Sequence, residues 1–174
     1  MMLLIYLSNY RLSNIFIVNH NSYIIMFTGC GMTNSRRIGS TFERKIGSML
    51  TDELGHAYNF KRNLEQYREV DNGDLVCDND KFNWVVECKR RKSGTTYSRS
   101  WWEQVLRSSK KENKHPVLIY QLNRSPIRCV VDLNVILEAF DCPTGSFHEN
   151  LVELTLETFC MVAREMMQDE VLAL

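Results

Sequence analysis

The sequence predicts an α/β protein, and three patterns along the chain indicate this fold class. Apolar residues recur at three- and four-residue spacing from Ser40 to about Leu54, as in an amphipathic helix. Two pairs of short apolar runs, at 70–89 and 117–131, surround turn-forming residues and predict two β-hairpins. A second helical pattern, from Trp101 to about Lys114, lies between them, so helices and sheet strands alternate along the chain.

Residues 1–35 form an N-terminal extension that differs from the rest of the chain. Its apolar runs are interrupted by Ser, Asn, Arg and His, and none approaches the roughly 18 apolar residues of a membrane-spanning helix. No Lys or Arg precedes the first run, as one would in a secretory signal. We therefore expect no membrane association. Because Met32 stands just before the strongly patterned region, we also expect the functional protein to start there. An additional packed segment or a weak membrane anchor are the alternatives.

The charges are divided unevenly along the chain. The 174 residues carry 21 Lys and Arg against 21 Asp and Glu, a formal net charge of zero. Residues 36–128 hold 19 of the basic residues and only 12 of the acidic ones, whereas residues 129–174 hold one basic and nine acidic residues. A basic middle and an acidic tail indicate contact with a nucleic acid, although two segregated solvated faces would give the same pattern.

The six cysteines indicate a reduced, cytoplasmic protein. Neighbouring cysteines lie at least 11 residues apart and no CxxC pair occurs, so a zinc ribbon or a thioredoxin-type site has no support. If the chain is encoded by a phage, the expected location is the cytoplasm of the host cell. P-loop, HExxH and GxGxxG signatures are also absent from the sequence.

The second strand of the first hairpin carries the strongest chemical pattern. Its period of two places Val85, Glu87 and Lys89 on one face, and Asp74 on the partner strand can then lie beside Glu87. Two carboxylates on adjacent strands form an all-oxygen site for a hard cation such as Mg²⁺. A lysine two residues on can hold an attacking water or offset charge on a phosphate. The alternative is a surface strand with alternating charges.

Glu43 is open to two interpretations. The sequence Ser40-Thr41-Phe42-Glu43 matches a capping box, in which Ser40 and Glu43 satisfy backbone donors at a helix start. Glu43 also flanks the apolar stripe of the first helix, from which a carboxylate can reach a site on the sheet.

The order of helix glutamate, hairpin aspartate and Glu-x-Lys resembles the PD-(D/E)XK nuclease superfamily. The stretch 37–132 is most similar to its Holliday-junction-resolvase-like branch and to small phage endonucleases. The motifs that carry the resemblance are Gly39–Arg44, Gly73-Asp74-Leu75 and Val86-Glu87-Cys88-Lys89. One departure is that Gly73 stands where the family has proline.

The resemblance implies a restriction-endonuclease-like core, a mixed sheet flanked by helices, that hydrolyses DNA phosphodiester bonds with Mg²⁺, or with Mn²⁺ as a substitute. Asp74 and Glu87 would be metal ligands, Glu43 would complete the metal site, and Lys89 would be the catalytic lysine. Gln104 resembles a glutamine that some branches place near the metal. The resulting domain expectation is an extension at 1–35, a nuclease core at 36–132 and an acidic helical C-terminal extension at 133–174.

The basic residues around this site are expected to contact DNA. A flexible Ser/Gly/Thr segment rich in Lys and Arg follows directly from Lys89 and suits contacts with phosphates. The candidate DNA-binding residues are Arg62, Arg90, Arg91, Lys92 and Arg99. Trp101 and Trp102 open the next helix and are expected to be core residues.

The acidic tail is predicted to be helical. Asp132 is expected to cap a short helix over 133–140, followed by a break at 142–145 and a longer helix from about Asn150 to Leu172. The long helix is expected either to pack on the core or to form the interface of a homodimer, since resolvase-like enzymes commonly act as dimers.

The expected function is a metal-dependent endodeoxyribonuclease, with branched DNA as a candidate substrate. Two alternatives are a linear-duplex restriction or end-processing nuclease and a noncatalytic DNA-binding or assembly protein.

Overall fold

The structure, a computed structural model, describes residues 16–18, 24–26, 32–64, 72–142 and 150–172. In chain order its elements are β1 (Phe16–Val18), β2 (Ile24–Met26), α1 (Met32–Leu54), β3 (Phe60–Arg62), β4 (Leu75–Cys77), β5 (Trp84–Arg91), α2 (Arg99–Glu112), β6 (His115–Leu122), β7 (Arg128–Asp132), α3 (Leu133–Ala139), β8 (Leu151–Leu154) and α4 (Leu156–Leu172).

The chain divides into two compact units, residues 1–37 and 38–174. In the first unit, β1 and β2 pair antiparallel. Most of the extension lies outside the described residues, so the expected start at Met32 stays a prediction. No helix in the described part of the chain is long and apolar enough to cross a membrane.

The second unit is built on a six-stranded mixed sheet with the order β3-β4-β5-β6-β7-β8. Only β5 and β6 are parallel among these neighbours, and α2 connects them as the crossover helix. The other pairs are antiparallel, including the two predicted hairpins, β4–β5 and β6–β7. The predicted α/β fold, a mixed sheet with flanking helices, is confirmed.

Strand β5 separates two hydrophobic cores. Trp84, Val86 and Cys88 pack in the larger core with residues of α1 and α4. Val85 packs in the smaller core with Trp102 and other residues of α2. The predicted alternation of faces along this strand is therefore confirmed, as is the core position of Trp102, which is fully buried.

Helix α1 begins earlier than its apolar pattern predicts. It starts at Met32, so Ser40 lies inside the helix and the interpretation of Ser40–Glu43 as an N-terminal capping box is wrong. The physical reason is that backbone donors inside a helix are already bonded to the preceding turn and need no cap. The buried stripe that holds α1 on the sheet consists of Phe42, Ile46, Leu50 and Leu54.

The C-terminal segment joins the sheet. Asp132 caps α3 as predicted, because its side chain accepts a hydrogen bond from Asn134 N at 3.0 Å. The prediction of helix from Asn150 is wrong for Leu151–Leu154, which form the edge strand β8 paired with β7. Helix α4 starts after Thr155, whose hydroxyl accepts from Thr158 N at 3.2 Å. The core of the predicted break, Pro143–Gly145, lies outside the described residues.

Helix α4 is part of the same compact unit as the sheet. Phe159, Cys160 and Ala163 are fully buried in the larger core. This helix lies in the segment expected as a C-terminal extension, and it shares a hydrophobic core with the strands that carry the candidate site.

Candidate active site

Asp74 and Glu87 meet in the interior where β4 begins beside β5. Leu75 pairs with Val86, and Asp74 N donates to Val86 O at 2.8 Å, which fixes the aspartate against the middle of β5. The amide of Cys88 donates to Asp74 Oδ2 at 2.7 Å. Asp74 is 7% exposed and Glu87 is 0% exposed. Two acidic side chains thus share a site that is largely closed to water.

Lys89 and Gln104 both bind the same oxygen of Glu87. Lys89 Nζ lies 2.5 Å from Glu87 Oε1, and Gln104 Nε2 lies 2.6 Å from that atom. The other oxygen, Glu87 Oε2, is buried and has no hydrogen-bond partner among the described residues when both carboxylates are ionised. Asp74 is within hydrogen-bond reach of the Glu87 carboxyl group, so the buried pair needs either a shared proton or a bound cation between its oxygens.

Burial raises the pKa of both acidic groups. The pKa of Glu87 rises to about 8, first because of desolvation and then because of the negative charge of Asp74, while Lys89 acts in the opposite direction. Desolvation also raises the pKa of Asp74, although the hydrogen bond from Cys88 lowers it. Near neutral pH the pair therefore disfavours carrying two negative charges unless a cation is added.

Glu43 is oriented by a salt bridge across the sheet edge. Its Oε2 accepts from Arg62 Nε, and both side chains are mostly buried. The negative charge of Glu43 also contributes to the raised pKa of Asp74. The structure thus places Arg62, a predicted DNA-binding residue, beside the predicted metal site. Its contact with DNA stays a prediction.

The donor set of this site fits a hard divalent cation in part. Asp74 and Glu87 supply carboxylate oxygens, and the unpartnered Glu87 Oε2 is the kind of atom that such an ion binds. Across the residues that the structure describes, no three His, Cys, Asp or Glu side chains are grouped closely enough to hold a metal ion. Glu43 would therefore complete the set only by exchanging part of its contact with Arg62.

Helix α2 secures both sides of the carboxylate pair, and of its contacts the sequence indicated only the one from Gln104. Near its middle it contributes Gln104 to Glu87. In its last turn, Glu112 accepts from Gly73 N at 3.3 Å and Lys111 Nζ donates to Asn72 Oδ1 at 2.8 Å. One helix thus fixes the chain that leads into Asp74 as well as the orientation of Glu87.

Gly73 is required by close packing against β5. A Cβ atom at this position would lie 2.8 Å from Val85 Cγ1 and 3.2 Å from Val86 O. A proline would meet the same contacts and would also lose the hydrogen bond to Glu112. The local packing therefore explains why glycine, and not the family's proline, stands at position 73.

The other predicted DNA-binding residues follow the site along β5 and into α2. Arg90 Nη1 donates to Gln121 O at 3.2 Å, and the guanidinium of Arg91 lies over the Trp101 ring, 5.2 Å from its centroid. Lys92 is exposed. Arg99 lies 3.5 Å from Glu103 in an exposed ion pair. Together with Lys89, these four side chains form a series of basic residues that we call the basic strip. Their contacts with DNA stay predictions.

Comparison with known proteins identifies the family. A family model described as "Phage putative PDDEXK endonuclease" matches residues 34–167. Among solved structures, the chain is similar to Hjc, a Holliday junction resolvase from the archaeal hyperthermophile Archaeoglobus fulgidus, at 16% identity and a TM-score of 0.47. That alignment covers 72% of this chain and 98% of Hjc. No match was found among the curated proteins.

The family match confirms the resemblance that the motifs around Glu43, Asp74 and Glu87 predict. It spans most of the chain and includes every candidate site residue described above. PD-(D/E)XK nucleases generally use divalent metal ions and act on DNA. The chain belongs to the phage PD-(D/E)XK endonuclease family.

Proposed function

We propose that this protein is a Mg²⁺-dependent endodeoxyribonuclease whose active site is built on Asp74, Glu87 and Lys89. The observation that carries the proposal is the fully buried carboxylate of Glu87 beside a second buried carboxylate, a pair that disfavours two negative charges unless a cation is added. An ordinary pair of charged strand residues would be exposed to water, where neither charge is costly. A buried acidic pair is instead the arrangement expected of a cation site.

Asp74 and Glu87 would hold the cation, with Glu43 as a further ligand and Mn²⁺ as a substitute for Mg²⁺. A bound Mg²⁺ would supply Lewis acidity toward a phosphoryl oxygen and lower the pKa of a water molecule. Gln104 keeps Glu87 in position through its 2.6 Å contact with Oε1.

Lys89 is the residue best placed to act on the reacting groups. Its ammonium contacts Glu87 at 2.5 Å, and its side chain is 25% exposed, so it lies between the buried pair and the solvent. From this position the ammonium can donate a hydrogen bond to the attacking water or to a phosphate oxygen that gains negative charge. We assign Lys89 the role of catalytic lysine.

The basic strip would bind the DNA backbone. Arg90, Arg91, Lys92 and Arg99 lie on β5, the following loop and the start of α2, immediately beyond Lys89. Contacts from such residues neutralise phosphates and position the duplex without distinguishing sequences.

The proposed substrate is branched DNA, such as a four-way junction, and the proposed active form is a homodimer in the cytoplasm. The substrate and the dimer rest on the motif resemblance at 37–132, and the location rests on the six cysteines, which form no CxxC pair. A symmetric dimer presents two equivalent sites, as two symmetric cuts in a junction would need. Light scattering of the full chain tests the dimer, and a monomeric mass at the concentrations that support cleavage would contradict it.

A substrate panel tests the proposal. The full chain and its Asp74→Asn variant are incubated with Mg²⁺ and with four-way, flap, linear-duplex and single-stranded DNAs, with a chelator in parallel. We expect cleavage by the parent chain that the chelator and the substitution both abolish, and that is fastest on the four-way DNA. Absence of cleavage on every DNA would favour a noncatalytic DNA-binding protein. Cleavage of linear duplex alone would favour a restriction or end-processing nuclease.

A further inference from the structure

Arg91 lies at the end of β5 on the same face as the candidate active site. Side chains alternate along a strand, so Glu87, Lys89 and Arg91 share one face of β5. Gln104 of α2 binds Glu87, which identifies this face as the one that α2 covers. Two residues along a strand span about 6.6 Å. A DNA strand with a phosphate at Lys89 would therefore bring a neighbouring phosphate to Arg91.

The guanidinium of Arg91 is held by an aromatic ring of α2. It lies over the indole of Trp101, 5.2 Å from the ring centroid. This is within the distance of about 6 Å at which a ring face attracts a cation. Arg91 is exposed, and none of the salt bridges in the described part of the chain involves it. The ring therefore sets the direction of the side chain, and no described carboxylate neutralises its charge.

Trp101 is itself fixed from the sheet side. It packs against the smaller core and is only partly exposed. Its ring centroid lies 6.4 Å from that of Tyr120, and the Tyr97 centroid lies 5.9 Å from the same ring. The hydroxyl of Tyr120 donates to Glu153 Oε1 at 2.9 Å, and Thr96 Oγ1 donates to that oxygen at 3.2 Å. The indole is thus ordered by the fold, so it can serve as a fixed support for the cation above it.

A fixed support changes what an arginine contributes to binding. A long exposed side chain loses rotamer freedom when it binds a phosphate, and this loss weakens a complex by about two- to tenfold. A side chain that already lies in its bound direction avoids much of this cost. A guanidinium that stacks on a ring still presents the N–H groups at its edge to phosphate oxygens.

We propose that Trp101 is a positioning residue for DNA binding, which holds Arg91 toward the phosphate next to the one that Lys89 contacts. The inference rests on the proposed function for the identity of the ligand as DNA. It assigns a role in binding to an uncharged residue at the margin of the smaller core. Two other roles for Trp101, direct contact with a DNA base and core packing alone, give different results in a double-mutant cycle.

That cycle is measured on DNA binding without cleavage. The full chain is titrated in a chelator against a fluorescent four-way DNA, and anisotropy gives the Kd. We expect Trp101→Leu to weaken binding about two- to tenfold in the parent chain, and to have no further effect when Arg91→Ala is already present. Arg91→Ala should also lower the slope of log binding constant against log salt concentration by about 1. Trp101→Leu should leave that slope unchanged, because the cation is retained.

Three matched variants separate this role from packing. Leu106→Ala truncates a side chain of α2 that is partly buried in the same smaller core, and it should leave the Kd unchanged. Trp101→Phe retains an aromatic face and should weaken binding less than Trp101→Leu. In a Lys92→Ala background, Trp101→Leu should keep its full effect, since the contact with the indole is made by Arg91.

An unchanged or tighter Kd for Trp101→Leu would overturn the inference, as would no DNA binding by the parent chain. An equal loss in the parent chain and in the Arg91→Ala background would assign Trp101 to direct contact with DNA and would also overturn it. A loss of the same size for Leu106→Ala would reduce the role of Trp101 to core packing, with the same consequence. Coupling of Trp101 to Arg91 in a chain that cleaves no DNA would refute the nuclease proposal alone, whereas cleavage without coupling would refute this inference alone.

Discussion

Replacing Glu87 by glutamine is expected to stabilise the metal-free protein near neutral pH. Glu87 is fully buried beside Asp74, and its pKa in the folded protein is about 8 against an ordinary value of 4.5. Folding therefore favours the protonated form of this side chain. Its contribution to stability is complete below about pH 4.5 and is lost as the pH rises through the folded value of about 8.

The size of the effect follows from the pKa difference. At pH 7 the unfolded side chain has lost its proton, whereas the folded side chain keeps it. Keeping the proton lowers the free energy of unfolding by about 1.36 kcal/mol for each pH unit above 4.5. The penalty at pH 7 is then up to about 3 kcal/mol. Glutamine is neutral at every pH and retains an oxygen for Lys89 and Gln104, so Glu87→Gln should avoid this penalty.

The assay is urea unfolding followed by tryptophan fluorescence between pH 5 and pH 8 in the presence of a chelator. We expect the free energy of unfolding of the parent chain to fall across this range, and that of Glu87→Gln to fall less. Glu103→Gln is the matched control, since Glu103 is an exposed glutamate on α2. Parallel pH profiles for the parent chain and Glu87→Gln would refute the reasoning. Addition of Mg²⁺ should restore stability to the parent chain only.

Three further substitutions separate the roles of the site residues. Glu43→Gln should retain the fold but lower cleavage about 10–100-fold, as measured by single-turnover kinetics, and unchanged cleavage would mean that Glu43 serves only to hold Arg62. Gly73→Ala should lower the free energy of unfolding by about 1–3 kcal/mol in urea, because its Cβ would meet Val85 Cγ1 at 2.8 Å, and an unchanged midpoint would contradict this packing. Lys92→Ala should weaken binding to all DNA sequences alike, and it should reduce the slope of log binding constant against log salt concentration by about 1, as expected for one lost phosphate contact. Fluorescence anisotropy at several salt concentrations measures both effects, and an effect confined to one sequence would indicate base recognition instead.

The part of the site that lies on one hairpin could be predicted from the sequence. A period of two along β5 is a local property, so the opposite faces of Val86 and Glu87 follow from their positions in the chain. The pairing of Asp74 with that strand follows from the short turn-rich connection at 77–81. Burial of both carboxylates then results from the cores on the two sides of the sheet.

The contacts that depend on distant pairing could not be predicted. Arg62 reaches Glu43 because β3 pairs with β4 at the edge of the sheet, and no pattern near either residue indicates this. Leu151–Leu154 form a strand because the edge of β7 is available to them, although the same residues fit an amphipathic helix. The link from Glu112 to Gly73 likewise requires α2 to lie across the entry to β4.

The central claim is that Asp74 and Glu87 are buried together in order to hold a divalent cation. The most direct test is Mn²⁺ binding to the full chain without DNA, measured from the loss of the free-ion signal in electron paramagnetic resonance. We expect the parent chain to bind Mn²⁺, Asp74→Asn to lose this binding, and Asp52→Asn, on the exposed side of α1, to retain it. Equal Mn²⁺ binding by the parent chain and Asp74→Asn would contradict a cation site on this carboxylate pair.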